Sequence, residues 1–401
     1  MSKRISILTS GPLCRNPRVL KEARSLSSAG YTVTVLAIAH DPHFEARDAA
    51  ILEKARFHKI VLDRMGSNIP VRIVYFFERL LTWILLRGAI AHPARLGPYH
   101  ALLRLARRHT GDLIIAHTEL PLIVAAQLNR EGRRVAADLE DWHSQDLLSD
   151  ARLFRPLQLL TQTERTLLTT ASYVTTTSQA MAEALAAHYG TPPPKVVYNA
   201  FPLSGTPAPL PRQQSPSFVW LSQTIGPGRG LEQFLAAWNL TTQNSQVCLV
   251  GQVDESFRES LLSLLDASHR LRLHFQPTLP PSELPLLFTT HDFGLALEPD
   301  TPANKNLTVS NKIFHYLDAG LAIVATPTAG QREVFDQVPC AALLDDLSDP
   351  KRLATQLDAV LQDHKLLRQM GTASRQAAET MFNWNQSETV LLAAVATALN
   401  A

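Results

Sequence analysis

Residues His291–Thr326 read HDFGLALEPDTPANKNLTVSNKIFHYLDAGLAIVAT, and the fold turns on how this stretch is parsed. DFGLAL is a short apolar run that ends at a carboxylate, Glu298. Pro299 and Pro302 cannot continue a ladder, so a loop is expected after it. Ser310 is a suitable N-cap, which puts Asn311 and Lys312 in the first turn of a helix. Ile313, Phe314 and Leu317 give that helix one buried face. Gly320 suits the position just past its end, and LAIVAT reads as the next buried strand. The unit is strand, loop, helix, strand. In α/β proteins, a helix N-terminus beside the carboxyl end of a parallel strand is a place where anions are held. Lys312 would add a point charge for a phosphate.

The first residues repeat this grammar. RISILTS is a strand that breaks into the loop SGPLCRNP. Asn16 can cap a helix that starts at Pro17, with Val19, Ala23 and Leu26 on one face. Gly30 ends the helix and YTVTVLAIA is the next strand, so the chain opens on a βαβ unit. Further on, DLIIAH is a buried strand that ends at His117, followed by a helix closed at Gly132. RRVAADLED is another strand, followed by WHSQDL. Residues at strand ends of such folds face the ligand. His117, Asp138, Glu140, Asp141 and His143 are therefore candidates. Three acids and an imidazole within six residues favour function over an isolated structural histidine.

A linker rich in Pro, Ser and Gln follows at Pro202–Ser217. FVWLSQ then opens a second α/β pattern, with TIGPGRG before the helix LEQFLAAW. Gly226, Gly228 and Gly230 would let the backbone approach a ligand, and Arg229 offers a planar fork for phosphate oxygens. Alone, a short glycine loop is weak evidence, but its place after the first strand of an α/β unit strengthens it.

Composition excludes several classes. The chain has 401 residues, 45% hydrophobic and 18% charged, with a formal net charge of +2. That describes an ordinary globular protein of two or three domains with no electrostatic case for nucleic acid. The three cysteines, Cys14, Cys248 and Cys340, are far apart and have no metal spacing. A reducing compartment without a disulfide framework is expected. The first apolar run is too short for a signal peptide, and no spanning helix is expected, since no charge-free window of about 20 residues is apolar throughout. The segment Arg64–Thr110 stands out, with eight arginines, one acid (Glu78) and interleaved aromatics. Two readings stay open: helices lying on an anionic membrane surface, or ordinary domain helices whose arginines face solvent.

These motifs occur in an order that resembles one family. SNKIFHYLDAGLAIVAT is similar to the PNKxFEYxAAG signature of retaining family 4 glycosyltransferases of GT-B fold. The match runs through Asn311, Lys312, Phe314, Tyr316, Ala319 and Gly320, with His315 where the family usually has Glu. NPRVLKEARSLSSAGYTVTVLA and GPGRG resemble the family's first helix and its phosphate loop, with Arg229 at the Lys position. The resemblance implies an α/β, GT-B architecture, two Rossmann-like domains facing each other across a cleft. The expected bounds are 1–200 for the acceptor-side domain, 201–217 for the linker and 218–383 for the nucleotide-sugar domain. A C-terminal helix, 384–401, would pack back on the first domain.

The resemblance also implies a retaining sugar transfer from a nucleoside-diphosphate sugar, with that donor as substrate and with no metal or other cofactor. Gly228, Arg229, Gly230, Ser310, Asn311, Lys312 and His315 would hold the donor, with Gly11 a weaker candidate. Glu298, His143, Glu140 and His117 are the candidate catalytic groups. Arg18 either orients the loop near a substrate or is a solvated first-turn arginine. Departures are clear. The family's paired glutamates would fall at Leu307 and His315, and an arginine early in the phosphate loop would fall at Gln223 or Thr224. The second reading is therefore a catalytically weak GT-B protein serving as a binding or regulatory subunit. An epimerase of the same fold fits less well. A cytoplasmic location is expected, with a lipid-linked or membrane-proximal acceptor and a membrane contact through 64–110 left open.

Overall fold

The computed structural model describes residues 2–39, 41–64, 73, 76–77, 80–84, 91–147, 152, 155–205, 215–345 and 347–400. The chain divides into two compact units, Met1–Val197 with Glu388–Ala401, and Tyr198–Ser387.

The first unit is built on seven parallel strands. These are β1 (Arg4–Leu8), β2 (Thr32–Ala39), β3 (His58–Asp63), β4 (Leu113–His117), β5 (Val135–Leu139), β6 (Val174–Thr176) and β7 (Lys195–Val196). Their order is β3-β2-β1-β4-β5-β6-β7. β4 and β5 are buried at every position, as strands covered by helices on both faces must be. The strand order reverses between β1 and β4, so the loops after these two strands define the switch point where α/β sheets bind ligands.

The second unit repeats the plan with six parallel strands: β8 (Ser217–Ile225), β9 (Gln246–Val253), β10 (Leu273–Gln276), β11 (Phe293–Ala296), β12 (Ala322–Ala325) and β13 (Ala341–Leu343). Their order is β10-β9-β8-β11-β12-β13, with the switch point between β8 and β11. Side chains alternate across the sheet. Phe218 and Trp220 join one core with Phe234, Trp238 and Phe293. Val219 joins the other with Ile313, Phe314 and Tyr316.

Gly294 fixes how the helix Asn311–Ala319 sits on this second face. A Cβ at Gly294 would lie 2.3 Å from the Tyr316 ring. The ring therefore rests on bare backbone, and its hydroxyl donates to the Val219 and Leu295 carbonyls, both at 3.3 Å.

Two local expectations need correction. The loop after Glu298 contains a short helix, Ala303–Leu307. TI of TIGPGRG belongs to β8, which runs to Ile225 through a register irregularity between Leu221 and Thr224. Residues 198–205, of which 201–205 fall in the expected linker, make side-chain contacts within the second unit. Tyr198 packs on Phe314 and Phe382 and donates to Glu333. Phe201 stacks on His315, and the Ser204 amide donates to Asp318. The rest of the expected linker, 206–214, lies outside the described residues, as does much of 64–90. The cysteines are unpaired, with Cys248 and Cys340 buried.

Candidate functional site

In the second unit the sequence-predicted residues converge at the end of β11. The Glu298 backbone is clamped by Thr326, whose hydroxyl accepts from the Glu298 amide at 2.9 Å and donates to its carbonyl at 2.6 Å. Gln331 in turn donates to Thr326 Oγ1 at 3.0 Å. The carboxylate is nearly buried, and its Oε1 accepts from Lys312 Nζ at 2.6 Å and Ser310 Oγ at 2.9 Å. Burial would raise the Glu298 pKa, but the ammonium groups of Lys312 and Lys305 and these hydrogen bonds outweigh it and hold the carboxyl below its usual range. Lys312 also lies 3.3 Å from Ser310 Oγ and 5.5 Å from the centre of the Trp220 ring.

Ser310 occupies the N-cap position, but its side chain caps no helix amide. The hydroxyl donates to the carboxylate at 2.9 Å, and its oxygen accepts from Lys312 Nζ at 3.3 Å. Asn311 is exposed in that turn. Beside this cluster runs the glycine loop. Gly228 and Gly230 have φ of 71° and 73°, the region glycine alone enters freely. A Cβ on Gly230 would come 3.0 Å from Leu297 Cβ, so the loop lies directly against the residue before Glu298. Arg229 donates to Ser222 Oγ at 3.1 Å. Ser222 sits in the irregular part of β8.

Two residues that follow Glu298 in the same stretch have other engagements. The His315 ring is stacked on Phe201, with centroids 3.8 Å apart and planes 19° apart, and Phe288 lies 5.8 Å away. Asn306 accepts from the Ala329 amide at 3.0 Å, at the start of the helix Ala329–Phe335.

In the first unit, the end of β4 is a charged interior rather than an open site. His117 is 1% exposed. Its Nε2 is 2.5 Å from Glu22 Oε2 and its Nδ1 is 3.1 Å from Asp138 Oδ2. Burial alone would lower the His117 pKa, but the Glu22 and Asp138 carboxylates raise it to about 10. Arg18, 2% exposed, binds both oxygens of Asp138 and donates to the Val197 carbonyl at 2.7 Å. Arg18 is therefore not a solvated first-turn arginine. His117 is placed to hold the Arg18–Asp138 pair, and both ring nitrogens face carboxylates.

The other candidates lie closer to the surface. Glu140 is partly buried, and burial together with Asp141 and Asp138 raises its pKa to about 7 against the pull of Arg18. His143 is partly buried, and its Nε2 has no hydrogen-bond partner among the described residues. The turn that carries it is pinned by Glu164, which accepts from the Ser144 amide at 3.0 Å, Ser144 Oγ at 2.7 Å and the Tyr189 hydroxyl at 2.5 Å. At the switch point, nothing lies within 4 Å of where a Gly11 Cβ would be. Next to it, Thr118 holds φ of 67°, a conformation that costs a β-branched residue strain. Its hydroxyl donates to Ser10 Oγ at 3.1 Å.

Sequence reasoning missed Trp220, Thr326, Glu22 and Glu164. Only Glu22 had a visible signal, lying one turn from Arg18 on a helix whose neighbouring positions are apolar.

With this geometry in view, comparison with known proteins is informative. Residues 18–204 match the model of Glycosyltransferase Family 4, and residues 229–393 match a Glycosyl transferase-like model. The chain belongs to the GT-B glycosyltransferases of the family 4, group 1 type. Its fold is that of HepE from Anabaena, solved in complex with UDP and glucose, at 17% identity over 98% of this chain and 100% of that one, with a TM-score of 0.72. Sucrose-phosphate synthase from Thermosynechococcus elongatus superposes with a TM-score of 0.71, at 16% identity over 98% of this chain and 97% of that chain. Among curated proteins, spore coat protein SA of Bacillus subtilis (strain 168) is 25% identical over 128 residues, 31% of this chain. The match spans about a third (32%) of that protein's length.

Proposed function

We propose that this glycosyltransferase moves a sugar from a nucleoside-diphosphate sugar to an acceptor with retention of anomeric configuration, and that it needs no metal. The observation that carries the reading is Lys312 in the first turn of a helix at the β8/β11 switch point, beside a glycine loop bearing Arg229. As the bond between the sugar C1 and the phosphate oxygen breaks, negative charge grows on the leaving diphosphate. Lys312, Arg229 and the orphan first-turn amides can meet that charge. The acceptor hydroxyl bonds to C1 from the same face, and its proton passes to the leaving phosphate. UDP is the first nucleotide to test, because HepE was solved with it.

The acceptor is proposed to be lipid-linked or membrane-proximal and the location cytoplasmic, at or near the inner membrane face. The sequence support is the arginine-rich segment 64–110. Its described part divides the argument. In the helix Tyr99–Arg108, Leu102, Leu103 and Ala106 face inward and Arg107 pairs with Glu131. Among the described residues, no helix is long and apolar enough to cross a membrane.

The second reading, a binding subunit with weak catalysis, is favoured by one observation. His315 replaces a family glutamate and its ring is stacked on Phe201. A panel of UDP-, GDP- and TDP-sugars, assayed for nucleotide release with a hydroxyl acceptor mixture, separates the two. Turnover that disappears in Lys312→Ala supports transfer. Nucleotide binding without turnover supports the subunit reading.

A further inference from the structure

Resting on the donor reading above, one step further follows from the way Lys312 is held. We propose that Glu298 is a resident counter-anion for Lys312: the diphosphate of an incoming donor displaces it, and the released carboxylate turns to a hydroxyl of the donor's sugar. The family resemblance assigns no glutamate to this position, where Glu298 lies two residues past β11, nine residues before Leu307 and out of register with the expected pair.

Four observations support an exchange over a fixed strut. The pair is nearly buried, with side-chain exposures of 13% for Lys312 and 10% for Glu298. A bare ammonium there would carry a large desolvation cost, so the empty site needs an anion of its own. Both short contacts, from Lys312 and Ser310, fall on one carboxylate oxygen, Oε1. The backbone of Glu298 is clamped from both sides by Thr326. Only the side chain can move, and it pivots about a fixed root. Finally, Lys312 carries three N–H donors on a flexible stem, and the ring face of Trp220 gives it a second resting surface during a change of partner. A diphosphate brings more charge than one carboxylate, so it wins the ammonium once it arrives. Ser310 keeps its hydroxyl in reach of Oε1 and limits how far the carboxylate swings. Glu298 is on this account a positioning residue for Lys312 and a hydroxyl acceptor for the sugar.

The test is calorimetric binding of UDP and GDP, without sugar, to the full chain. Glu298→Gln removes the competitor and should tighten the better-binding nucleotide by about tenfold, the scale of one charge-assisted contact. The gain should vanish when Lys312→Ala is also present. Turnover of the matching sugar nucleotide should fall in Glu298→Gln even as nucleotide affinity rises. A merely structural ion pair cannot produce that split. Glu298→Asp, with a shorter reach and the charge retained, should show a smaller tightening of the same sign and serves if the Gln variant folds poorly. Unchanged or weaker binding in the Glu298 variants, or equal tightening without Lys312, overturns the exchange and leaves the donor reading standing. Failure of the wild-type chain to bind either nucleotide ends both.

Discussion

Asp138→Asn probes the charged interior of the first unit and decides whether His117 serves folding or chemistry. Asp138 is 3% exposed, accepts from Arg18 Nε and Nη2 and from Thr175 Oγ1 at 3.0 Å, and has His117 Nδ1 at 3.1 Å. Removing the charge takes from the buried Arg18 the carboxylate that accepts two of its guanidinium N–H groups. Breaking one partner of a buried pair costs about 3–5 kcal/mol. For a unit of this size, that lowers the melting temperature by roughly 10 °C. The control is Glu131→Gln, which breaks an ion pair to Arg107 whose side chains are 28% and 47% exposed, and should leave the melting temperature nearly unchanged, as exposed pairs do. Scanning calorimetry reads both, and hydrogen exchange in β4 and β5 assigns the transition to the first unit.

The pH dependence has a definite sign. The folded pKa of His117, about 10, lies above the unfolded value of about 6.5. Its contribution is fully present below about pH 6.5 and is lost progressively as pH rises to about 10. Asp138 is depressed by Arg18 and His117 against its burial, so its contribution is present above the unfolded carboxylate pKa and is lost only in acid. The gap in stability between wild type and Asp138→Asn should therefore narrow between about pH 7 and 10. Equal effects of Asp138→Asn and Glu131→Gln, or a gap that stays constant over that range, would refute the reasoning.

Other outcomes can be checked independently. Lys312→Ala should weaken nucleotide binding by about 10- to 100-fold, the loss of one hydrogen bond to a charged group, in the same calorimetric assay. Gly294→Ala should cost about 3 kcal/mol or prevent folding, because its Cβ would lie 2.3 Å from the Tyr316 ring. A melting temperature within a few degrees of wild type would show that the ring can move. Glu164→Ala should strand the Ser144 and Tyr189 donors, cost about 2–3 kcal/mol and raise hydrogen exchange across 143–146.

How legible the chain was depends on what kind of signal each residue leaves. Period-two and period-3.6 apolar runs are local, so β4, β5, β11, β12 and the helix between the last two were readable from DLIIAH, VAADL, DFGLAL, KIFHYL and LAIVAT. Glu298, Ser310 and Lys312 were each singled out, yet their convergence was not readable. It depends on Glu298 lying just past the end of β11 while the first turn of the helix Asn311–Ala319 comes back beside it. Ser310 shows the limit sharply. Cap propensity placed it at the right backbone position, but a carboxylate brought from twelve residues away took the hydroxyl. Propensity ranks local partners and knows nothing of distant ones.

The polar residues buried in the first unit mark the same limit from the other side. Arg18, Glu22, His117 and Asp138 are charged residue types found at strand ends and on a helix, and the same pattern describes an active site. What separates the two is whether water reaches them, a property of the packed chain. Here Arg18 and Glu22 come from the helix Pro17–Ser28, while His117 and Asp138 come from neighbouring strands paired in register. Once that helix docks, every charge in the group finds an opposite one within hydrogen-bond range, and the Val197 carbonyl takes one further guanidinium N–H. Val197 is the last residue of the first unit's main span. The cluster thus ties the helix Pro17–Ser28 to the point where the chain leaves its first sheet. The charge pair that the proposed chemistry uses, Glu298 with Lys312, instead lies just beyond β11 and borders the glycine loop.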